Sequence, residues 1–175
     1  VDSLNKRNPY WGFRGINGQM FFNMLSRNSE NRDKLNEVLK KCLKVPSSIN
    51  EATIKINDLI DYIKHLPTGA DKRKTPKIKS VLFFLSYFWQ IQEPLKYPVF
   101  YTSLEQTLTE LNFLQQTSEL SVYYTDFFEI NNEILKIFLE KEKTANLWFV
   151  EHVFWNYYIK KQEVIETPIK KEIEA

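Results

Sequence analysis

Hydrophobic positions along this chain recur at three- and four-residue intervals, and the pattern predicts helices over most of its length. Residues 18–27 carry Met20, Phe21, Met24 and Leu25 at helical spacing. Residues 29–44 put Leu35, Val38, Leu39 and Cys42 on one face, with Asn31, Arg32, Lys34, Glu37, Lys40 and Lys41 on the other. Ser48-Ile49-Asn50-Glu51 fits a capping box, and the helix it opens, to about Leu66, directs Ile54, Ile56, Leu59, Ile60 and Ile63 inward. The densest apolar stretch is TPKIKSVLFFLSYFWQIQE, residues 75–93. Thr75 is placed to cap it, Pro76 falls at its first position, and Pro94 closes it. Apolar groups surround residues 81–89 on nearly every side, so this helix is expected at the centre of the fold.

After Pro94, LKYPVFYTS reads as a short extended segment with no partner strand in view. Ser103-Leu104-Glu105-Gln106 is a second capping-box pattern, opening a helix to about Leu114. Residues 118–143 form a long helix with Leu120, Tyr123, Tyr124, Phe127, Ile130, Ile134, Leu135 and Phe138 facing inward. Asn146 caps a last helix, LWFVEHVFWNYYIKK, whose aromatics exceed one stripe and require more than one neighbour. At the N-terminus, residues 1–16 are irregular, yet Tyr10, Trp11 and Phe13 alternate with Arg7 and Arg14. A disordered tail does not carry such aromatics, so an ordered arm is expected. The expectation is an all-α fold: a single-domain bundle of about six to seven helices around a buried central helix, residues 76–93, with that arm attached. Residues 1–160 form the helical domain and residues 161–175 a charged tail or linker.

Composition narrows the picture. The chain has 175 residues, enough for a real core, and 15% aromatics. Four Gly and seven Pro argue against a turn-dense β fold. The net charge of +2 does not by itself announce a nucleic-acid binder. The single Cys42 excludes an internal disulfide and points to a reducing compartment. The apolar run of residues 81–89 falls well short of the roughly 20 residues a membrane span needs. With no signal peptide visible, a cytoplasmic location away from membranes is expected. A start at Val1 rather than Met fits a fragment or processed form.

Catalytic signatures are missing. There is no phosphate-binding G-x-x-x-x-G-K-[ST] run and no G-x-S-x-G elbow. His65 and His152 lack metal-ligand spacing, so neither metal nor cofactor is expected. Cys42 sits on an apolar face as a structural thiol. His152, after Glu151, reads as a hydrogen-bonded core histidine, with an acid–base pair as the sharper alternative. Asp126 and Glu129 flank Phe127 and Phe128 in ordinary amphipathic alternation. The expected role is therefore non-enzymatic. What remains is a run of five cations without an acid, Lys72, Arg73, Lys74, Lys77 and Lys79. These can neutralise phosphates, with Arg14 in support, while Trp11, Phe13 or Tyr101 contacts a base. The plainer alternatives are a solvated loop for the cations and an anchor for Trp11.

Four strings, NPYWGFRGINGQMFFN, VLFFLSYFWQIQE, YPVFYTS and LWFVEHVFW, occur in that order. Together, over residues 8–158, they resemble the region N-terminal to the motor in McrB-like AAA+ restriction proteins. The resemblance implies recognition of DNA, often of a modified cytosine in context. It also implies a GTP-hydrolysing motor domain in the same chain and a separate nuclease subunit as partners. It carries over no base-reading residue. The rival expectation is a protein-interaction or oligomerisation module presenting an aromatic surface.

Overall fold

The computed structural model describes residues 15–67, 75–93 and 95–173, with side-chain exposure described for residues 18–67, 75–93 and 95–162. Among these there are seven α-helices and no strand, so the expected all-α fold is the one adopted. The helices are α1 (Gly15–Asn28), α2 (Arg32–Leu43), α3 (Ile49–Lys64), α4 (Ser80–Gln92), α5 (Thr102–Glu110), α6 (Leu120–Lys141) and α7 (Leu147–Ile173). The chain divides into two compact units, Val1–Trp89 and Gln90–Ala175, and the expected domain of residues 1–160 takes in both. The aromatic arm lies outside the described residues, apart from Gly15 and Ile16 at the start of α1.

In the first unit, α2 and α3 pack together as a helical hairpin. α2 starts later than its polar pattern predicts, because Asn31 is the cap and accepts from the Lys34 N–H at 2.9 Å. Ser29 instead donates to the Asn31 carbonyl at 3.1 Å and pairs with the Tyr62 hydroxyl. At α3, Ser48 accepts from the Glu51 N–H at 3.2 Å, as the capping box requires. The reciprocal limb is displaced by one residue: Glu51 accepts from the N–H and hydroxyl of Ser47, at 2.7 and 2.5 Å. Its other oxygen meets the Lys55 amine at 2.9 Å. That amine is buried and donates to the Lys44 carbonyl at 2.6 Å, tying α3 to the end of α2.

α4 is the buried helix that the apolar run predicts: Val81, Leu82, Phe84, Leu85, Tyr87 and Trp89 are all in the core. Phe84 meets Phe21 of α1 at 4.9 Å, and the Trp89 indole N–H donates to the Cys42 carbonyl at 2.9 Å. Ser86 is accommodated by donating to the Leu82 carbonyl at 2.6 Å. The helix begins at Ser80, not Pro76. Pro76 is buried and Ile78 half-buried, while Lys77 and Lys79 are exposed. That two-residue alternation is incompatible with helical geometry, so the helix starts only after it. Thr75 consequently caps nothing, and its hydroxyl has no partner among the described residues. One further expectation fails at the surface: Ile54 is 56% exposed, and Met20 of α1, also at helical spacing, is 52% exposed.

The second unit is organised around residues 97–100, all buried. Phe100 lies 4.7 Å from the Phe127 ring and 5.4 Å from that of Tyr123. No strand pairs with this segment among the described residues. α5 starts at Thr102 with no side-chain cap, so Ser103 is a first-turn residue rather than the cap its pattern predicts. The helix ends in a Schellman motif. Asn112 takes the left-handed conformation at φ 59°, its N–H bonds to the Thr109 carbonyl, and the Phe113 N–H bonds to the Leu108 carbonyl. On α6, Tyr123, Tyr124 and Phe127 are buried, while Leu120, Ile130, Ile134, Leu135 and Phe138 are only half-buried. Asn146 caps α7 as expected, accepting from the Phe149 N–H at 3.0 Å. α7 packs on both α5 and α6, which accounts for its excess of aromatics, and runs on to Ile173 through most of the stretch expected as a tail.

Candidate functional site

Of the residues that the sequence nominates for DNA contact, Trp11, Phe13, Arg14, Lys72, Arg73 and Lys74 lie outside the described residues. Lys77 and Lys79 are described, and both are exposed. The turn that leads into α4 sets their direction: Ser80 and Val81 donate to the carbonyls of Lys77 and Ile78, each at 3.0 Å. With Pro76 and Ile78 turned inward, both cations are projected to solvent at the start of a helix. Cations there oppose the helix dipole, so helix stability does not explain their placement. Tyr101 is half-buried at the N-cap position of α5, in the second unit.

An open groove of about 660 Å³ runs over the α2–α3 hairpin in the first unit. Lys34, Glu37 and Lys41 of α2 face Asp58, Asp61 and His65 of α3 across it. Charges of both signs line it and partly satisfy each other. Lys41 meets Asp58 at 2.7 Å, and that carboxylate raises the lysine pKa. The His65 Nδ1 lies 2.7 Å from the Asp61 carbonyl, a distance at which the Nδ1–H tautomer donates. No group of three His, Cys, Asp or Glu among the described residues is placed to hold a metal ion. Cys42 is fully buried, as its apolar face predicts, and burial pushes its thiol up to about 11, far from a reactive thiolate.

The second unit holds a polar cluster that periodicity alone does not reveal. Glu151 is 3% exposed, and its Oε1 accepts from the Gln90 side-chain amide at 2.9 Å and the Val99 N–H at 2.7 Å. Burial outweighs these two donors and raises its carboxyl from 4.5 to about 8. The Tyr124 hydroxyl donates to the Pro98 carbonyl at 3.0 Å, and burial holds its pKa well above the ordinary value. Nearby, buried Glu105 accepts from the Tyr123 hydroxyl at 2.6 Å. Burial first, and that carboxyl second, push Tyr123 up to about 12. His152 is exposed, not the core histidine the sequence predicts. It points away from buried Glu151, so the structure does not assemble the two as an acid–base pair. In sequence, the only sign of the cluster is an acid within an aromatic helix; its partners lie 52 and 61 residues away.

No helix among the described residues is long and apolar enough to cross a membrane. No family model, curated protein or solved structure matches this chain.

Proposed function

We propose that this chain is a non-catalytic DNA-recognition module of a McrB-like restriction or defence ATPase, reading a modified base. The observation that carries the reading is the acid-free run of residues 72–79, whose described cations, Lys77 and Lys79, are both exposed. The resemblance of the four aromatic strings supports it, as does the lack of a phosphate loop, which in that family belongs to a separate motor domain. Lys72, Arg73, Lys74, Lys77 and Lys79 hold phosphates in this reading, with Arg14 beside them and Trp11, Phe13 or Tyr101 against a base. The motor domain and nuclease subunit are its implied partners.

A second reading, a protein-interaction or oligomerisation module, is favoured by exposed Ile137, Leu139, Phe149 and Tyr157 on α6 and α7. Sedimentation velocity of the chain with and without labelled duplex DNA, over a salt series, separates the two. The DNA reading expects a complex whose log affinity falls with log salt. Replacing Lys77 and Lys79 by Ala then lowers that slope by about 0.9 for each phosphate that is no longer neutralised. An unchanged slope in this pair and in the Lys72/Arg73/Lys74 triple Ala variant overturns it. Self-association without DNA supports the second reading.

A further inference from the structure

Residues 97–101 cross the core of the second unit without a strand beside them; the Tyr101 N–H turns back onto the Val99 carbonyl at 2.8 Å, and the remaining backbone groups need partners from elsewhere. Side chains supply these. The Pro98 carbonyl is met by Tyr124 of α6, and the Val99 N–H by Glu151 of α7. Glu151 is therefore a pin that takes the place of a neighbouring strand. It is an unusual pin, because a buried carboxylate is costly unless a cation pairs with it. Among the described residues Glu151 has no Lys, Arg or His partner. The groups around it are Gln90 at the end of α4, the Val99 amide of residues 97–101, and Tyr124 of α6, on whose hydroxyl its charge acts. Glu105, the buried acid of α5, is engaged by Tyr123. Both donors to Glu151 reach Oε1, which leaves Oε2 for a proton.

We propose that Glu151 is a proton-dependent pin: its carboxyl keeps a proton while residues 97–101 are seated, and loss of that proton to bulk water releases the segment from α6 and α7. The inference is independent of the DNA-binding reading. The sign follows from linkage. The seated carboxyl holds its proton up to about pH 8, whereas a released one titrates at the ordinary 4.5. Seating is therefore fully supported below 4.5 and weakens about tenfold per pH unit as pH rises toward 8, where the effect levels off.

The test is hydrogen exchange of the Val99 and Phe100 amides in the full 175-residue chain, with rates divided by their intrinsic values. Protection is expected to fall roughly tenfold per pH unit between about pH 5 and 8 and then level off. Glu151→Gln keeps an acceptor and cannot ionise, so its protection profile is expected to be flat. A flat parent profile, or a Glu151→Gln profile as steep as the parent's, overturns the proposal. Should that variant fail to fold, the Glu151 carboxyl-carbon NMR shift of the parent decides. A step near 8 supports the pin, and a step near 4.5 with the segment still protected refutes it.

Discussion

Glu51 and Glu151 each accept hydrogen bonds that tie a loop to a helix, Glu51 from Ser47 and Glu151 from Val99, yet their chemistry is opposite. Glu51, in the first unit, faces solvent and holds an ammonium. Hydrogen bonds from the Ser47 hydroxyl and amide, then Lys55, lower its carboxyl to about 2. Glu151, in the second unit, is buried with no ammonium beside it among the described residues, and burial raises it to about 8. The same side chain is thus an anion at one position and an acid at the other. Environment, not residue type, decides its charge.

The contrast extends to the two cores. In the first unit the buried polar residues are Ser29, Lys55 and Ser86; Lys55 and Ser86 donate to backbone carbonyls at most 11 residues away, while Ser29 pairs with Tyr62 33 residues on and the Trp89 indole reaches Cys42 across 47. In the second unit they are Gln90, Glu105, Thr107, Ser121, Asn131 and Glu151. Here side chains join segments 18 to 61 residues apart. Both units carry hydrogen bonds across long sequence separations; what sets the second apart is that it buries two acids, Glu105 and Glu151.

The largest expected effect tests the first unit of that pair. Trp89→Ala removes a fully buried indole and its bond to Cys42, and should destabilise by about 3–5 kcal/mol in urea unfolding followed by circular dichroism. An unchanged midpoint would show that apolar packing is not what holds this unit. Next is Tyr123→Phe, which removes the hydrogen bond from α6 to the buried Glu105; a loss of about 1 kcal/mol is expected in the same assay. A neutral result would mean that this link between α5 and α6 does not hold the second unit together. The smallest effect sharpens the opposition of the two carboxyls. The depressed Glu51 contributes stability above about pH 4.5 that is lost as pH falls toward 2, whereas the support from Glu151 is lost as pH rises from 4.5 to 8. Exchange protection of α3 should therefore fall only at the acid end, and Glu51→Gln should remove that dependence. An α3 profile that declines toward alkaline pH would collapse the distinction.

Helix positions were legible because helix hydrogen bonds and caps are local. Ser48 and Asn146 cap where spacing predicts, and the run of residues 81–89 is core because apolar groups surround it. Local patterns misled where two local solutions compete. Thr75 with Pro76 matches a helix start, but with Pro76 and Ile78 turned inward the chain makes a turn at residues 77–80 and the helix begins only at Ser80. Ser103 matches a cap, but the buried course of residues 97–100 carries the chain into α5 two residues earlier, with Tyr101 at the cap. Of the candidate DNA-contacting residues, the outward direction of Lys77 and Lys79 became readable only from that inward turn of their neighbours.

The sequence alone determined an all-helical chain, a central apolar helix and one acid-free basic stretch, since each depends on residue type and spacing within a few turns. Tertiary structure decided which apolar positions stay exposed, as at Met20 and Ile54, and which acid is buried. Burial depends on what arrives from elsewhere in the chain. Glu151 and His152 are neighbours in sequence, but helical rotation turns one toward Gln90 and Val99 and the other to solvent.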